Sequence, residues 1–153
     1  MRIVDFLRPE LIVPELQASD KLGILRELAT HIGRSSPGIP AEEILRVLAE
    51  REQLASTALS DGIAIPHGKL DRMPHMVGCL GRARHAVDFG SLDGNPTQLF
   101  FVLMAPGNAA SAHLKALARI SRLFKERGVR ERLIHADGAD AMYRVISAED
   151  PAL

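Results

Sequence analysis

Apolar residues recur at helical spacing near both ends of the chain and in short unbroken runs through its middle. Leu22, Leu25, Leu28, Ala29 and Ile32 follow the three-and-four spacing of one helix face. Ser19 or Asp20 can cap that helix, and "GRSSPG" ends it. "IPAEEILRVLAERE" predicts a second helix. Pro40 suits its first position, Glu42 and Glu43 suit the positive end of its dipole, and Ile44, Leu45, Val47 and Leu48 form its buried face. The texture then changes: "GIAI", "MVGCLGRA", "AVDF" and "QLFFVLMAP" are short apolar segments between Gly, Asp, Asn and Pro, and they predict strands. "LFFVLM" has no polar face, which places it mid-sheet with cover on both sides. Residues 91 to 96, "SLDGNP", read as a turn or loop. The helical period returns in "NAASAHLKALARISRLFKER", with Leu114, Leu117, Ile120, Leu123 and Phe124, a start capped by Asn108 or Ser111, and Gly128 at its end. "VRERLIHA" and "GADAMYRVIS" predict two further helices, the last with Ala141, Met142, Val145 and Ile146 inward. Residues 1 to 16 read as irregular or extended, punctuated by Pro9 and Pro14. The order helices, strands, helices predicts an α/β chain with a sheet sandwiched between helices, in one domain.

Composition narrows this picture. A length of 153 residues fits one domain with a real core, and 46% apolar residues argue against disorder. Net charge is zero, so no basic excess points to nucleic acid. The N-terminal run is broken by Asp5, Arg8, Pro9 and Glu10, which predicts neither a signal peptide nor a membrane span. Cys79 is alone, which excludes an internal disulfide; it reads as a small buried hydrophobe, and cytoplasm is the natural compartment.

Six histidines are present, and none pairs at the helical spacing of a zinc site; no metal or cofactor is expected. His31 and His135 lie near helix C-terminal ends, and His75 and His85 read as loop residues flanking a strand. His67 differs. Ile65 is held extended by the proline after it, Pro66 fixes its own φ, and Gly68 permits unusual geometry or a close approach. Together they hold an imidazole at a strand end with room beside it; a loop histidine next to an ordinary turn fits the same string. His113 falls in the first turns of the helix after the central strand, where sites collect and free amides favour anions; a surface histidine fits there too. Arg51, Ser56 and Thr57 supply a guanidinium and hydroxyls able to hold phosphate oxygens, or else a solvated helix end and polar loop. Neither a Walker-type glycine loop nor a hydrolase serine elbow occurs.

"REQLASTALSDGIAIPHGKL", "APGNAASAHLKALARIS" and the strands between them resemble the fructose/mannitol-type enzyme IIA domains of the bacterial phosphotransferase system. The likeness is closest to the stand-alone nitrogen-regulatory enzyme IIA proteins and spans residues 3–148 as one enzyme IIA type-2 domain. It implies a mixed sheet of about five strands flanked by helices on both faces. It implies His67 as phosphoryl acceptor and His113 as the group that stabilises the phosphoryl. It further implies that Arg51, Ser56, Thr57 and Gly68 bind phosphate. The family pattern has glycine on either side of "ST", where this chain has Ala55 and Ala58.

On that resemblance, a histidine phosphocarrier protein donates the phosphoryl group to neutral His67, docking on an apolar rim. The phosphorylation state then signals to targets such as transporters or kinases in nitrogen-related regulation. Two other readings use the same residues: a sugar-transport enzyme IIA that passes phosphate to a IIB partner, and an interaction module independent of phosphate. No nucleic acid partner and no membrane insertion are expected.

Overall fold

The computed structural model describes residues 1–150. Its strands are β1 (Ile12–Leu16), β2 (Ile63–Ala64), β3 (His67–Lys69), β4 (Val77–Val87) and β5 (Thr97–Ala105). Its helices are α1 (Lys21–Arg34), α2 (Ala41–Leu54), α3 (Ala110–Phe124), α4 (Arg127–His135) and α5 (Ala139–Glu149). The sheet is mixed: β1 runs parallel to β4, β4 antiparallel to β5, and β2 and β3 both parallel to β5 along its other edge. Helices cover both faces, as the two close glycines of β4 reveal. A side chain at Gly81 would meet Leu28 of α1, whereas one at Gly78 would meet Phe101. Phe101 in turn packs edge-on against Phe124 of α3. These glycines are an odd number of residues apart, so they point to opposite faces.

β5 is buried along nearly its whole length, as its unbroken apolar run requires. Burying each such large side chain contributes roughly 1.5–3 kcal/mol, which makes this strand the axis of the core. Asp20 caps α1 by accepting the Gly23 amide at 2.8 Å.

Several local expectations are corrected. Residues 3–5 and 9–11 form single 3-10 turns, and β1 follows them with Pro14 on a sheet edge, where a missing amide hydrogen is tolerated. "MVGCLGRA" and "AVDF" are largely one strand: β4 runs through both, bent by a register irregularity between Arg82 and Val87, so His85 lies within a strand. Pro40 is the residue before α2 rather than its first residue. Neither Asn108 nor Ser111 caps α3, which starts after Ala109, and α3 ends at Phe124, leaving Gly128 inside α4. Leu22 and Leu114 are exposed, off the buried stripes of their helices.

Candidate functional site: two facing imidazoles

β2 and β3 are two halves of one strand. Ile63 pairs with Leu99 and His67 with Leu103, so the pairing offset on β5 is the same on both sides of Pro66. His67 therefore does not stand beyond a strand that has ended; it opens the strand's second half. Pro66 still contributes its carbonyl, which accepts the Leu103 amide at 3.0 Å. Ile65 faces the other way along the sheet edge, and its amide donates to Thr57 O at 3.1 Å.

Ile65 O in turn lies 2.8 Å from His67 Nδ1. A carbonyl only accepts, so this contact places the ring hydrogen on Nδ1 and leaves the lone pair on Nε2. Arg51, in the last turn of α2, points its Nε–H at that lone pair from 3.3 Å. Its Nη1 donates to Ala55 O at 2.9 Å, which fixes the guanidinium plane. Burial, followed by the Arg51 charge, holds the His67 pKa below the ordinary 6.5, against the opposing pull of the Ile65 hydrogen bond and Glu52. The ring is neutral at pH 7.

His113 reaches the same place from the second turn of α3. Its ring centroid is 5.6 Å from that of His67. It is only 5% exposed, and its buried Nε2 has no hydrogen-bond partner. Burial first, then repulsion from a protonated His67 and from Lys69, depress its pKa to about 4. Two neutral imidazoles thus share a cleft between α2, β3 and α3, lined also by Arg51, Lys69, Val47 and Leu117. Leu54 and Leu114 stand on its rim, 82% and 70% exposed.

A family model described as "Phosphoenolpyruvate-dependent sugar phosphotransferase system, EIIA 2" matches residues 5–149. The chain belongs to this family. It is 40% identical to a nitrogen regulatory protein of Bradyrhizobium diazoefficiens, over 96% of this chain and 95% of that one. It is 30% identical to the fructose-specific EIIABC component of Bacillus subtilis, over 98% of this chain but 24% of that longer protein. Among solved structures, nitrogen regulatory protein IIA-Ntr from Neisseria meningitidis superposes with a TM-score of 0.89 at 30% identity, covering 94% of this chain and 98% of that one.

Not every residue assigned to the enzyme IIA site from sequence lines this cleft. His67, His113, Arg51 and Gly68 do. Ser56 and Thr57 do not: the Ser56 hydroxyl donates to Phe89 O at 2.6 Å, and the Thr57 hydroxyl donates to the buried carboxylate of Glu52. Gly68 has no left-handed φ; its lack of a side chain makes room for α2, because a Cβ there would sit 2.3 Å from Val47 Cγ1. Ala55 has an extended backbone (φ −172°, ψ 149°), and Ala58 bridges Ala64 in antiparallel fashion. Neither alanine occupies a conformation that calls for glycine, so the departure from the family pattern costs this enzyme IIA no backbone strain.

Sequence reasoning missed Leu54 as a rim residue, placed Leu114 in the core, and left Glu52 without a role. The signal for the leucines was present as two large apolar residues off the buried stripes of α2 and α3. Cys79 is fully buried, and burial pushes its thiol up to about 12, as an inert core residue requires. No group of ligating side chains able to hold a metal occurs among the described residues. No helix among them is long and apolar enough to cross a membrane.

Proposed function

We propose that this enzyme IIA, acting as one domain over residues 3–148 in the cytoplasm, accepts a phosphoryl group on His67 Nε2 from the phosphohistidine of a small phosphocarrier protein. The observation that carries the reading is the fixed tautomer: Ile65 O holds the hydrogen on Nδ1, so Nε2 meets the cleft with its lone pair. In the transfer, the Nε2 pair forms the new N–P bond as the donor's N–P bond breaks, and those electrons return to the donor imidazole. His67 keeps its Nδ1 hydrogen, so the phosphorylated ring carries positive charge beside Ile65 O, and the donor, with a hydrogen on its other ring nitrogen, leaves as neutral imidazole. Such a reaction asks chiefly for in-line placement and charge stabilisation.

Arg51 is placed to supply charge once its Nε–H turns from the lone pair to a phosphoryl oxygen. His113 Nε2, buried and unpartnered, is the second group within reach, and in its neutral form it donates when Nε2 carries the hydrogen. The leucines of the rim give the donor an apolar landing surface. Phosphate binding is proposed for Arg51, His113 and the backbone at Gly68. Ser56 and Thr57 shape the loop behind them.

The phosphorylated and free forms would then recruit different targets, such as transporters or kinases, because phosphate adds charge and acceptors at an otherwise apolar rim. The 40% identity to a nitrogen regulatory protein favours regulation as the output. The fructose-specific relative keeps onward transfer to a IIB partner as the second reading.

The test is incubation with phosphoenolpyruvate, the first enzyme of the system and the phosphocarrier, followed by intact mass. An acid-labile gain of one phosphate, lost in His67→Ala, is expected. A wild-type chain that gains nothing sinks the proposal. Adding a sugar-specific IIB protein distinguishes the two outputs: the label stays on the chain if the output is regulatory and leaves it if the output is transport.

A further inference from the structure

The cleft does not explain why the chain buries a carboxylate just behind it. Glu52 is 8% exposed and sits one residue after Arg51 on α2. Its oxygens accept the Thr57 amide at 3.1 and 3.3 Å, and they also accept the Thr57 hydroxyl. Lys21 of α1 reaches in from the other side, with Nζ 3.0 Å from Oε2 and 4.7 Å from the centre of the Phe89 ring. Ser56 fastens the same loop to Phe89 O. A buried charge with this many partners is satisfied, and removing it frees every group it held.

The segment so fastened, residues 55–57, holds both groups that hydrogen-bond the His67 ring, Arg51 and Ile65. One arm runs from Ala55 O to Arg51 Nη1, and from Arg51 Nε to His67 Nε2. The other runs from Thr57 O to the Ile65 amide, and from Ile65 O to His67 Nδ1. One arm orients the group facing the lone pair; the other selects which nitrogen has it. We propose that Glu52 is a positioning residue for His67: by clamping residues 55–57 it fixes the ring's tautomer and its angle to Arg51. This deepens the phosphoryl-acceptor reading and rests on it for its kinetic consequence, though not for its structural one.

The experiment uses the full chain as wild type, Glu52→Ala, Glu52→Gln, Thr57→Val and, as a destabilised control in the core of α3, Ile120→Val. The ¹⁵N shifts of the His67 ring nitrogens, recorded above pH 7, report the tautomer. Steady-state transfer from the phosphocarrier reports kcat and KM. Wild type should show hydrogen on Nδ1. Glu52→Ala should show mixed tautomers and lose kcat by roughly 10- to 100-fold, with KM within about twofold, as misplacement of a reacting group does. Glu52→Gln, which keeps an acceptor for Thr57 but loses Lys21, should fall between, and Thr57→Val should shift the tautomer the same way. Ile120→Val should move neither readout. If Glu52→Ala does not fold, Glu52→Gln and Thr57→Val decide the matter by the same measures. A wild-type tautomer and rate in the folded Glu52 variants overturns the proposal, as does an equal shift in Ile120→Val. If wild type takes no phosphate, the phosphoryl reading falls and the nitrogen shifts alone decide the role of Glu52.

Discussion

His67 and His113 are the same residue type put to different uses by their surroundings. His67 has both ring nitrogens engaged and is half-buried; His113 is almost wholly buried with Nε2 unpartnered. Both are held neutral, and each shift has a measurable sign. Protonation would remove the His67 lone pair, and its pKa lies below 6.5. Phosphoryl uptake should therefore be flat through neutrality and fall only in acid, with its midpoint under that of a free imidazole; rates measured roughly between pH 5 and 8 check this. For His113 the folded pKa is about 4 against 6.5 for an unperturbed ring. The unfolded chain thus binds the extra proton first as pH falls. The stability that goes with a neutral buried His113 is complete above pH 6.5 and is lost as pH falls through about 4, a change on the order of 3 kcal/mol. Denaturant midpoints across that range should fall less steeply in His113→Asn than in wild type. The difference between the two curves removes the carboxylates common to both.

Among the elements, the β2–β3 strand, α2 and α3 build the cleft, and the first two meet at Gly68. A Cβ at Gly68 would overlap Val47, and Val47 is on the α2 face that the cleft shares. Gly68→Ala should cost about 1–3 kcal/mol through overpacking and should slow phosphoryl uptake. Val47→Ala in the same chain should restore part of both, which thermal melts and the mass assay can follow. The sequence made much of this readable. Helical period, the apolar β5 run and the "IPHG" string placed α1, α2, β5 and a constrained His67 beside the cleft. It did not reveal that a strand continues past Pro66, because continuation depends on β5 supplying a partner in unchanged register. Nor did it reveal that Ser56 and Thr57 turn inward. Hydroxyls suited to phosphate are equally suited to Glu52, five residues back on α2, and to Phe89 O, which only the return of the chain along β4 brings close. Leu114 was misplaced because its three-residue spacing to Leu117 and Ile120 fits a helical period, while the covered stripe of α3 runs through His113, Ala116 and Ile120.

At the scale of the whole molecule, a chain of zero net charge has little long-range field to steer a partner, and the cleft mouth carries the exposed Leu54 and Leu114 alongside Glu50, Arg51 and Lys69. The proposed docking of the donor uses the two exposed leucines as its apolar contact. Leu54→Asp and Leu114→Asp should each raise the KM for the donor roughly tenfold, by loss of a central interface contact, while leaving the melting temperature unchanged because neither side chain is buried. An unaltered KM in both would move the docking surface elsewhere. The strand that crosses Pro66 without losing step has a further consequence, and it concerns insertions and deletions. One residue gained or lost between Ile63 and His67 would turn the imidazole to the opposite face of the sheet, away from His113, with every chemical group still present. The exposed loop at residues 91–96 lies outside the cleft lining, and its Asp93 meets the rest of the chain at Asp61, ahead of β2. Spacing within that five-residue stretch is thus as much a functional requirement of the chain as the histidine it delivers.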